Sequence, residues 1–144
     1  MILDIRAPII PYDGFGEIKL YSTIMELDEI LTLSVSKKKI LNDNWIIYDI
    51  QNSIELFFHR KNDKLFRITT LDNYKGKVFG SIGVGTTLKE MLSIESSFVY
   101  YEFEELWQSD KGAFIEMDPV TNKVRWISVY IHELEEDNFE QCLW

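Results

Sequence analysis

Two stretches of this chain, FGEIKLYSTIMELDEIL at 15–31 and FGSIGVGTTLKEMLSIE at 79–95, share six identities at a constant spacing of 64 residues. A second pair of stretches, NDKLFRITT at 62–70 and TNKVRWISV at 121–129, matches at a shorter spacing. Self-similarity at a fixed period is typical of one supersecondary unit that is used twice. The sequence therefore predicts a single domain over 1–144, with repeat unit one at about 15–71, a linker at 72–77 and repeat unit two at about 78–134.

Each stretch contains the pattern of a helix capping box, Thr23-x-x-Glu26 in the first and Thr87-x-x-Glu90 in the second. In this box the threonine oxygen accepts the third helical N–H and the glutamate reaches back to the cap. Apolar residues at helical spacing follow both boxes, which predicts a capped helix in each unit. Strands are expected before the helices at Glu17–Tyr21 and Val78–Val84, and after them at Trp45–Ile50, Ser53–Arg60, Leu65–Leu71, Phe98–Trp107, Ala113–Met117 and Val124–Leu134.

These elements predict an α+β fold, in which two tandem β-α-β-β-β units form an antiparallel sheet with the helices on one face. The other face would stay open, and an open antiparallel face is a natural binding platform. Prolines at positions 8 and 11 suit an edge, so Ile2–Ile10 is expected to add an edge strand.

The composition indicates a globular protein without a membrane partner. Hydrophobic residues make up 46% of the 144 positions and aromatics 14%, and no apolar run approaches the ~20 residues that a membrane span needs. The first residues, MILDIRAPIIPYDG, have an acid where a secretory signal would be basic. Cys142 is the only cysteine, which excludes an intrachain disulfide. We expect a reduced, cytoplasmic protein.

The net charge of −9 is concentrated in the second half of the chain. Residues 1–88 carry 11 acidic and 11 basic side chains, whereas residues 89–144 carry 13 acidic and 4 basic ones. A field of this sign repels nucleic acid and attracts basic proteins. Solubility alone is the other explanation of an acidic surface.

Catalytic, metal and cofactor sites have no clear signature. The glycines of GSIGVGTT (80–87) precede a helix, but their spacing is neither that of a dinucleotide fingerprint nor that of a P-loop. His59 and His132 are dispersed, and we expect both to be solvated at strand ends. Without a nucleophile motif, the sequence predicts no enzyme, no metal and no cofactor. An acid pair at Glu102 and Glu104 remains possible in principle, although a charged outer strand face explains it equally well.

The segment 100–110 mixes four aromatic residues with four acids, which suits a basic protein partner. The alternative is a strand whose aromatics pack inward against the second helix. We expect Tyr101, Phe103 and Trp107 to point inward or to the seam, and the run 133–137 to be a solvated end. The candidate partner-binding residues are Tyr100, Glu102, Glu104, Glu105, Trp107 and Asp110.

The duplicated pattern resembles the tandem fold of the beta-lactamase inhibitor protein and related small lipoproteins. The turn GSIGVGTT (80–87), then Trp107, then Lys123-Val124-x-x-Ile127 carry this resemblance. The stretches KVFGSIGVGTT (77–87), FEELWQSDKGAFIEMD (103–118) and WISVYI (126–131) are also similar to cytosolic immunity proteins of bacterial contact-dependent growth inhibition and polymorphic-toxin systems.

The second resemblance implies a non-catalytic inhibitor that binds and neutralises a cognate toxin domain by covering its active site. An acidic inhibitor suits a basic toxin, and we expect a nuclease in a 1:1 complex, because nucleases carry cationic phosphate-binding sites. One rival interpretation is a small-ligand or scaffold module that binds in the groove between the repeats. The other is an enzyme that uses a carboxylate pair.

Overall fold

The computed structural model describes residues 3–144, and the side chains of all of these except 33–36. The first half contains β1 (Ile9–Ile10), β2 (Gly14–Phe15), β3 (Ile18–Lys19), α1 (Asp28–Ser34), β4 (Val35–Leu41), β5 (Trp45–Ile50), β6 (Ile54–His59) and β7 (Leu65–Thr70). The second half contains α2 (Leu88–Ile94), β8 (Val99–Tyr101), β9 (Leu106–Ser109), β10 (Ala113–Met117), β11 (Val124–Tyr130) and the 3₁₀ helices η1 (His132–Glu135) and η2 (Phe139–Gln141).

Antiparallel sheets dominate the molecule, which is the α+β class that the sequence predicts. Strands β1, β2 and β3 form a small sheet, and the other eight form one large sheet in the order β4-β5-β6-β7-β11-β10-β9-β8. Each seven-residue helix precedes an antiparallel run of four strands, and the two runs meet where β7 pairs with β11. The edges of the large sheet are therefore β4 and β8.

Several strand predictions were wrong in ways that have physical causes. The expected strand Phe98–Trp107 is the hairpin β8–β9, because the chain turns at 102–105 with Glu105 at a φ of 55°. Residues 78–84, all within the described part of the chain, form no strand, and Val78 instead makes an isolated bridge to Ile82.

The N-terminal region also differs from expectation. Ile2 lies outside the described residues, and the remainder of the expected edge strand contributes only β1, which belongs to the small sheet. Strand β4 was not anticipated because its centre is Lys37-Lys38-Lys39, which lacks the apolar alternation of a strand.

The capping boxes form in both halves. The Thr87 side chain accepts the N–H of Glu90 at 3.1 Å and caps α2, as predicted. The Thr23 side chain accepts the N–H of Glu26, also at 3.1 Å, on the turn that leads into α1. The two threonines therefore make the same local hydrogen bond, although α1 begins only at Asp28.

Strand–turn hydrogen bonds next to the boxes also recur. The N–H of Leu65 donates to the Ser22 carbonyl at 2.8 Å, and the N–H of Val124 donates to the Thr86 carbonyl at 2.7 Å. Ser22 and Thr86 are 64 residues apart, and Leu65 and Val124 are 59 residues apart. These are the spacings of the two sequence matches.

The turns that close the β6–β7 and β10–β11 hairpins agree in the same way. The N–H of His59 donates to the Lys64 carbonyl at 3.1 Å, and that of Asp118 donates to the Lys123 carbonyl at 2.8 Å. His59 and Asp118 therefore occupy corresponding positions in their hairpins.

Both hairpins contain a β-bulge at the same place. Between the register pairs Phe57↔Arg67 and Phe58↔Leu65, one extra residue of β7 is left unpaired, which is Phe66. The pairs Glu116↔Trp126 and Met117↔Val124 leave Arg125 of β11 unpaired. A bulge re-aims the side chain of the extra residue, so Phe66 and Arg125 correspond as well.

The register separates the residues of the large sheet onto two faces. One row across the sheet contains Leu56, Ile68, Val129 and Ala113, all fully buried. The next row contains Glu55, Thr69, Ser128 and Phe114. Because side chains alternate along a strand, the first row marks an apolar face and the second marks what we call the mixed face. The helix residues Ile30 and Met91 are fully buried and belong to the same core cluster as the apolar row.

The region between the halves is tied to the N-terminal segment. Tyr74 is buried and its hydroxyl donates to the Ala7 carbonyl at 2.6 Å. The N–H groups of Lys75 and Gly76 both donate to the carbonyl of Ile5, at 2.7 and 3.0 Å. The 72–77 connection is therefore packed and hydrogen-bonded.

The segment 132–144 packs against the first half, which overturns two expectations. His59 is 0% exposed and hydrogen-bonds to Glu140 at 2.6 Å, so it is not a solvated strand-end residue. The run 133–137 is not simply solvated either, because Glu133 accepts a short hydrogen bond from the Tyr21 hydroxyl. His132 is exposed as expected, but its ring stacks on Tyr12 with centroids 3.6 Å apart.

Candidate partner interface

The β8–β9 hairpin exposes four large apolar residues that lie close together in sequence. The exposed fractions are 57% for Val99, 47% for Tyr100, 46% for Tyr101 and 95% for Phe103. Every residue of β8 is exposed, and the strand lies at the edge of the large sheet. Four large exposed apolar residues on one short hairpin favour an interaction site, whereas single exposed apolar residues are ordinary. The expectation that Phe103 points inward was wrong, because Phe103 lies in the turn and not in a strand.

A groove of about 590 Å³ lies beside this hairpin. Four of the six candidate residues line it: Tyr100, Glu104, Glu105 and Trp107. The other side comes from the β10–β11 hairpin, chiefly Glu116, Met117, Asp118, Pro119, Arg125 and Trp126. The lining therefore includes four carboxylates and one guanidinium beside three aromatic rings.

The structure separates the remaining two candidates from the groove. Glu102 is exposed in the turn between β8 and β9 and is not among the lining residues. Asp110 is exposed in the next turn, at the opposite end of β9. Four of the six candidates thus line the groove, Glu102 lies at the neighbouring tip of the hairpin, and Asp110 lies apart from both.

Trp107 links the groove to the core. It is partly buried, its ring centroid is 5.2 Å from that of Tyr100, and it pairs with Ile115. Trp45, the tryptophan that follows the first helix, pairs with His59.

Electrostatics differ among the groove carboxylates. Burial raises the pKa of Glu116 above its ordinary value, while the nearby Arg67 guanidinium acts in the opposite direction. The backbone N–H groups of Thr121 and Val120 donate to Asp118 and hold the pKa of that carboxyl below its usual range. Asp118 is therefore a well-fixed anion at the groove wall.

Cationic groups in and near the groove are held against aromatic rings. The Arg125 guanidinium lies 4.3 Å from the Trp126 ring centroid. On the mixed face, Arg67 lies between Phe57 and Phe114, 4.4 and 4.6 Å from the two centroids. Such contacts offset the desolvation of a guanidinium, so these arginines are positioned by the protein itself.

Sequence reasoning missed the β10–β11 contribution to the site. Glu116 and Asp118 precede the turn and Arg125 follows it, so they are separated in sequence from the 100–110 segment. The alternation of β10 and the short turn at 118–123 contain the signal for a hairpin, and pairing of β9 with β10 brings this hairpin beside Trp107.

Two features are absent from the part of the chain that the structure describes. Among residues 3–144, no group of three or more His, Cys, Asp or Glu side chains is arranged to hold a metal ion. Within the same part of the chain, none of the helices has the length and apolar character needed to traverse a bilayer.

Comparison with known proteins identifies a fold neighbour but no family. No protein-family model matches the chain, and no curated protein matches it. A solved structure of a cysteine-rich secretory protein from Staphylococcus aureus matches with a TM-score of 0.54 at 11% identity, over 91% of this chain and 51% of that one. The chain thus spans about half the length of that structure, and at this identity the likeness concerns the fold alone.

Proposed function

We propose that this chain is an immunity protein that binds a cognate toxin domain and neutralises it by covering the toxin's active site. The observation that carries the proposal is the β8–β9 hairpin, where exposed aromatic residues stand among carboxylates. Aromatic side chains supply the buried contacts of a tight complex, and surrounding acids select a basic surface.

The fold supports a duplicated architecture, which we propose as two tandem units with their helices on the apolar face of one sheet. Matching capping boxes, matching strand–turn hydrogen bonds and bulges at corresponding residues all favour one unit used twice. Each unit then contributes a helix and four strands, one strand more after the helix than the sequence suggests.

The mechanism we propose is steric and electrostatic. A basic nuclease must hold phosphates, so its active site is cationic and attracts the acidic second half of this chain. Long-range attraction raises the association rate, and burial of Tyr100 and its neighbours slows dissociation. The partner-contacting residues are Tyr100, Glu102, Glu104, Glu105, Trp107 and Asp110. The complex forms in the cytoplasm, where such a toxin acts.

The test uses the protein domain encoded by the gene immediately upstream. We expect it to be toxic when expressed alone in bacteria and harmless when this chain is co-expressed. With both proteins purified, association and dissociation rates are measured between low and high salt. Replacing two of the hairpin carboxylates by lysine, Glu102→Lys with Glu104→Lys, should slow association roughly tenfold at low salt and flatten the salt dependence.

The matched control changes two exposed acids elsewhere, Glu136→Lys with Asp137→Lys. It carries the same change in net charge and should leave most of the association rate intact. Equal losses in the two folded variants would show that only net charge matters. Absence of toxicity or of protection would reject the immunity function itself.

A further inference from the structure

The first half of the molecule contains an occupied binding site at the end of its mixed face. The Glu140 carboxylate accepts hydrogen bonds from the His59 ring at 2.6 Å and from the Trp45 indole N–H at 3.3 Å. Beside it, Phe139 and Trp144 stack at 5.3 Å, and Phe139 packs against the bulge residue Phe66 at 5.1 Å.

The same site holds backbone atoms of the segment. Asn62 and Lys64 side chains donate to the Trp144 carbonyl at 3.2 and 3.4 Å, and the Lys61 ammonium donates to the Glu140 carbonyl at 3.1 Å. The first half thus binds an acidic, aromatic segment through a surface rich in hydrogen-bond donors.

The groove of the second half stands at the corresponding place. Asp118 corresponds to His59 through the hairpin hydrogen bonds, and Arg125 corresponds to Phe66 through the bulge. Both second-half residues line the 590 Å³ groove, and the groove is open. Corresponding positions are therefore covered by the chain's own segment in the first unit and line an open groove in the second.

The chemistry of the two sites is reversed. The donor His59 is replaced by the acceptor Asp118, and Glu104, Glu105 and Glu116 add three further carboxylates to the lining. We propose that the second-half groove binds a short partner segment in which a lysine or arginine stands where Glu140 stands in the first half, beside an apolar or aromatic residue. This inference rests on the proposed function, since it names the part of the toxin that the groove receives.

The acidic segment 132–144 of this chain does not suit the groove. It carries Glu133, Glu135, Glu136, Asp137 and Glu140. Placing these acids against the groove carboxylates would be repulsive. Charge complementarity therefore selects a cationic segment.

The experiment uses two synthetic peptides and the full chain. One peptide has the sequence of residues 138–144 with Cys142→Ser, and the other adds Glu140→Lys. Binding is followed by nuclear magnetic resonance of the indole N–H groups of the four tryptophans. Trp107 and Trp126 report the groove, whereas Trp45 and Trp144 report exchange at the occupied site.

We expect the lysine peptide to shift the Trp107 and Trp126 signals with about tenfold higher affinity than the glutamate peptide, because its ammonium group forms charge-assisted hydrogen bonds with the groove carboxylates. The double variant Glu104→Gln with Asp118→Asn should remove this preference. Asn at 118 keeps a side-chain oxygen for the turn, so the variant is expected to fold. Its matched control is Glu136→Gln with Asp137→Asn, which should retain the preference.

Two results would overturn the groove proposal: equal affinity of the two peptides, or a preference that survives in the double variant. Absence of any shift at Trp107 and Trp126 would reject it as well. These outcomes do not depend on a toxin. If the chain protects against the toxin but its groove binds neither peptide, the immunity function stands and the groove proposal is rejected. If the groove prefers the lysine peptide but the chain gives no protection, the groove proposal stands and the immunity function is rejected.

Discussion

Removing the Glu140 carboxylate should destabilise the fold through His59. The N–H of Lys61 donates to His59 Nδ1 at 3.2 Å, so Nδ1 is an acceptor and the ring proton lies on Nε2. That N–H donates to Glu140 at 2.6 Å, and His59 is fully buried. In the variant Glu140→Ala the buried N–H loses its acceptor, and leaving a buried donor unsatisfied costs about 1–3 kcal/mol. We expect the free energy of unfolding to fall by about 2 kcal/mol.

The assay is urea unfolding followed by tryptophan fluorescence, with a thermal melt beside it. A loss of 2 kcal/mol should lower Tm by about 4–8 °C for a chain of this size. Glu140→Gln keeps a neutral acceptor and should lose less. Glu136→Ala, at an exposed position in the same segment, should change stability by no more than about 0.5 kcal/mol. If Glu140→Ala behaves like Glu136→Ala, the segment does not depend on the His59 contact.

Three further predictions concern stability. Thr87→Ala removes the α2 cap and should cost ~1 kcal/mol in urea unfolding, while Thr87→Ser should be nearly neutral. Hydrogen bonds from Thr87 lower the pKa of Glu90, and backbone N–H groups lower that of Asp118. A carboxylate whose pKa is lower in the folded state than in the unfolded state stabilises the fold at pH values above the unfolded pKa of about 4. The urea midpoint should therefore fall as the pH drops from about 5 to 3. The fall should be less steep in Thr87→Ala. Gly76→Ala would place a Cβ 2.1 Å from the Ala7 carbonyl oxygen and should lower Tm clearly; an unchanged Tm would contradict that packing.

Local features of the chain were predictable from sequence. The capping boxes at Thr23 and Thr87 depend on residues three positions apart, and strands such as β5 and β10 have apolar patterns that suffice to place their ends. The charge of the second half is a property of composition and holds in any fold. The six candidate residues follow from this charge and from the aromatic residues of the segment 100–110. Tyr100 of that segment is exposed on the β8–β9 hairpin.

Other features depend on contacts between distant parts of the chain. His59 looks like a solvated strand-end residue until a segment 81 positions later covers it and supplies a carboxylate. The β4 strand has three consecutive lysines, and only pairing with β5 makes it a strand. The wall of the groove that contains Asp118 comes from a second hairpin, brought beside Trp107 by sheet register. Local sequence therefore determined the two capping boxes, most of the strands and the charge. Burial and the site's second wall were decided by tertiary packing, because a side chain's environment depends on neighbours that local periodicity does not specify.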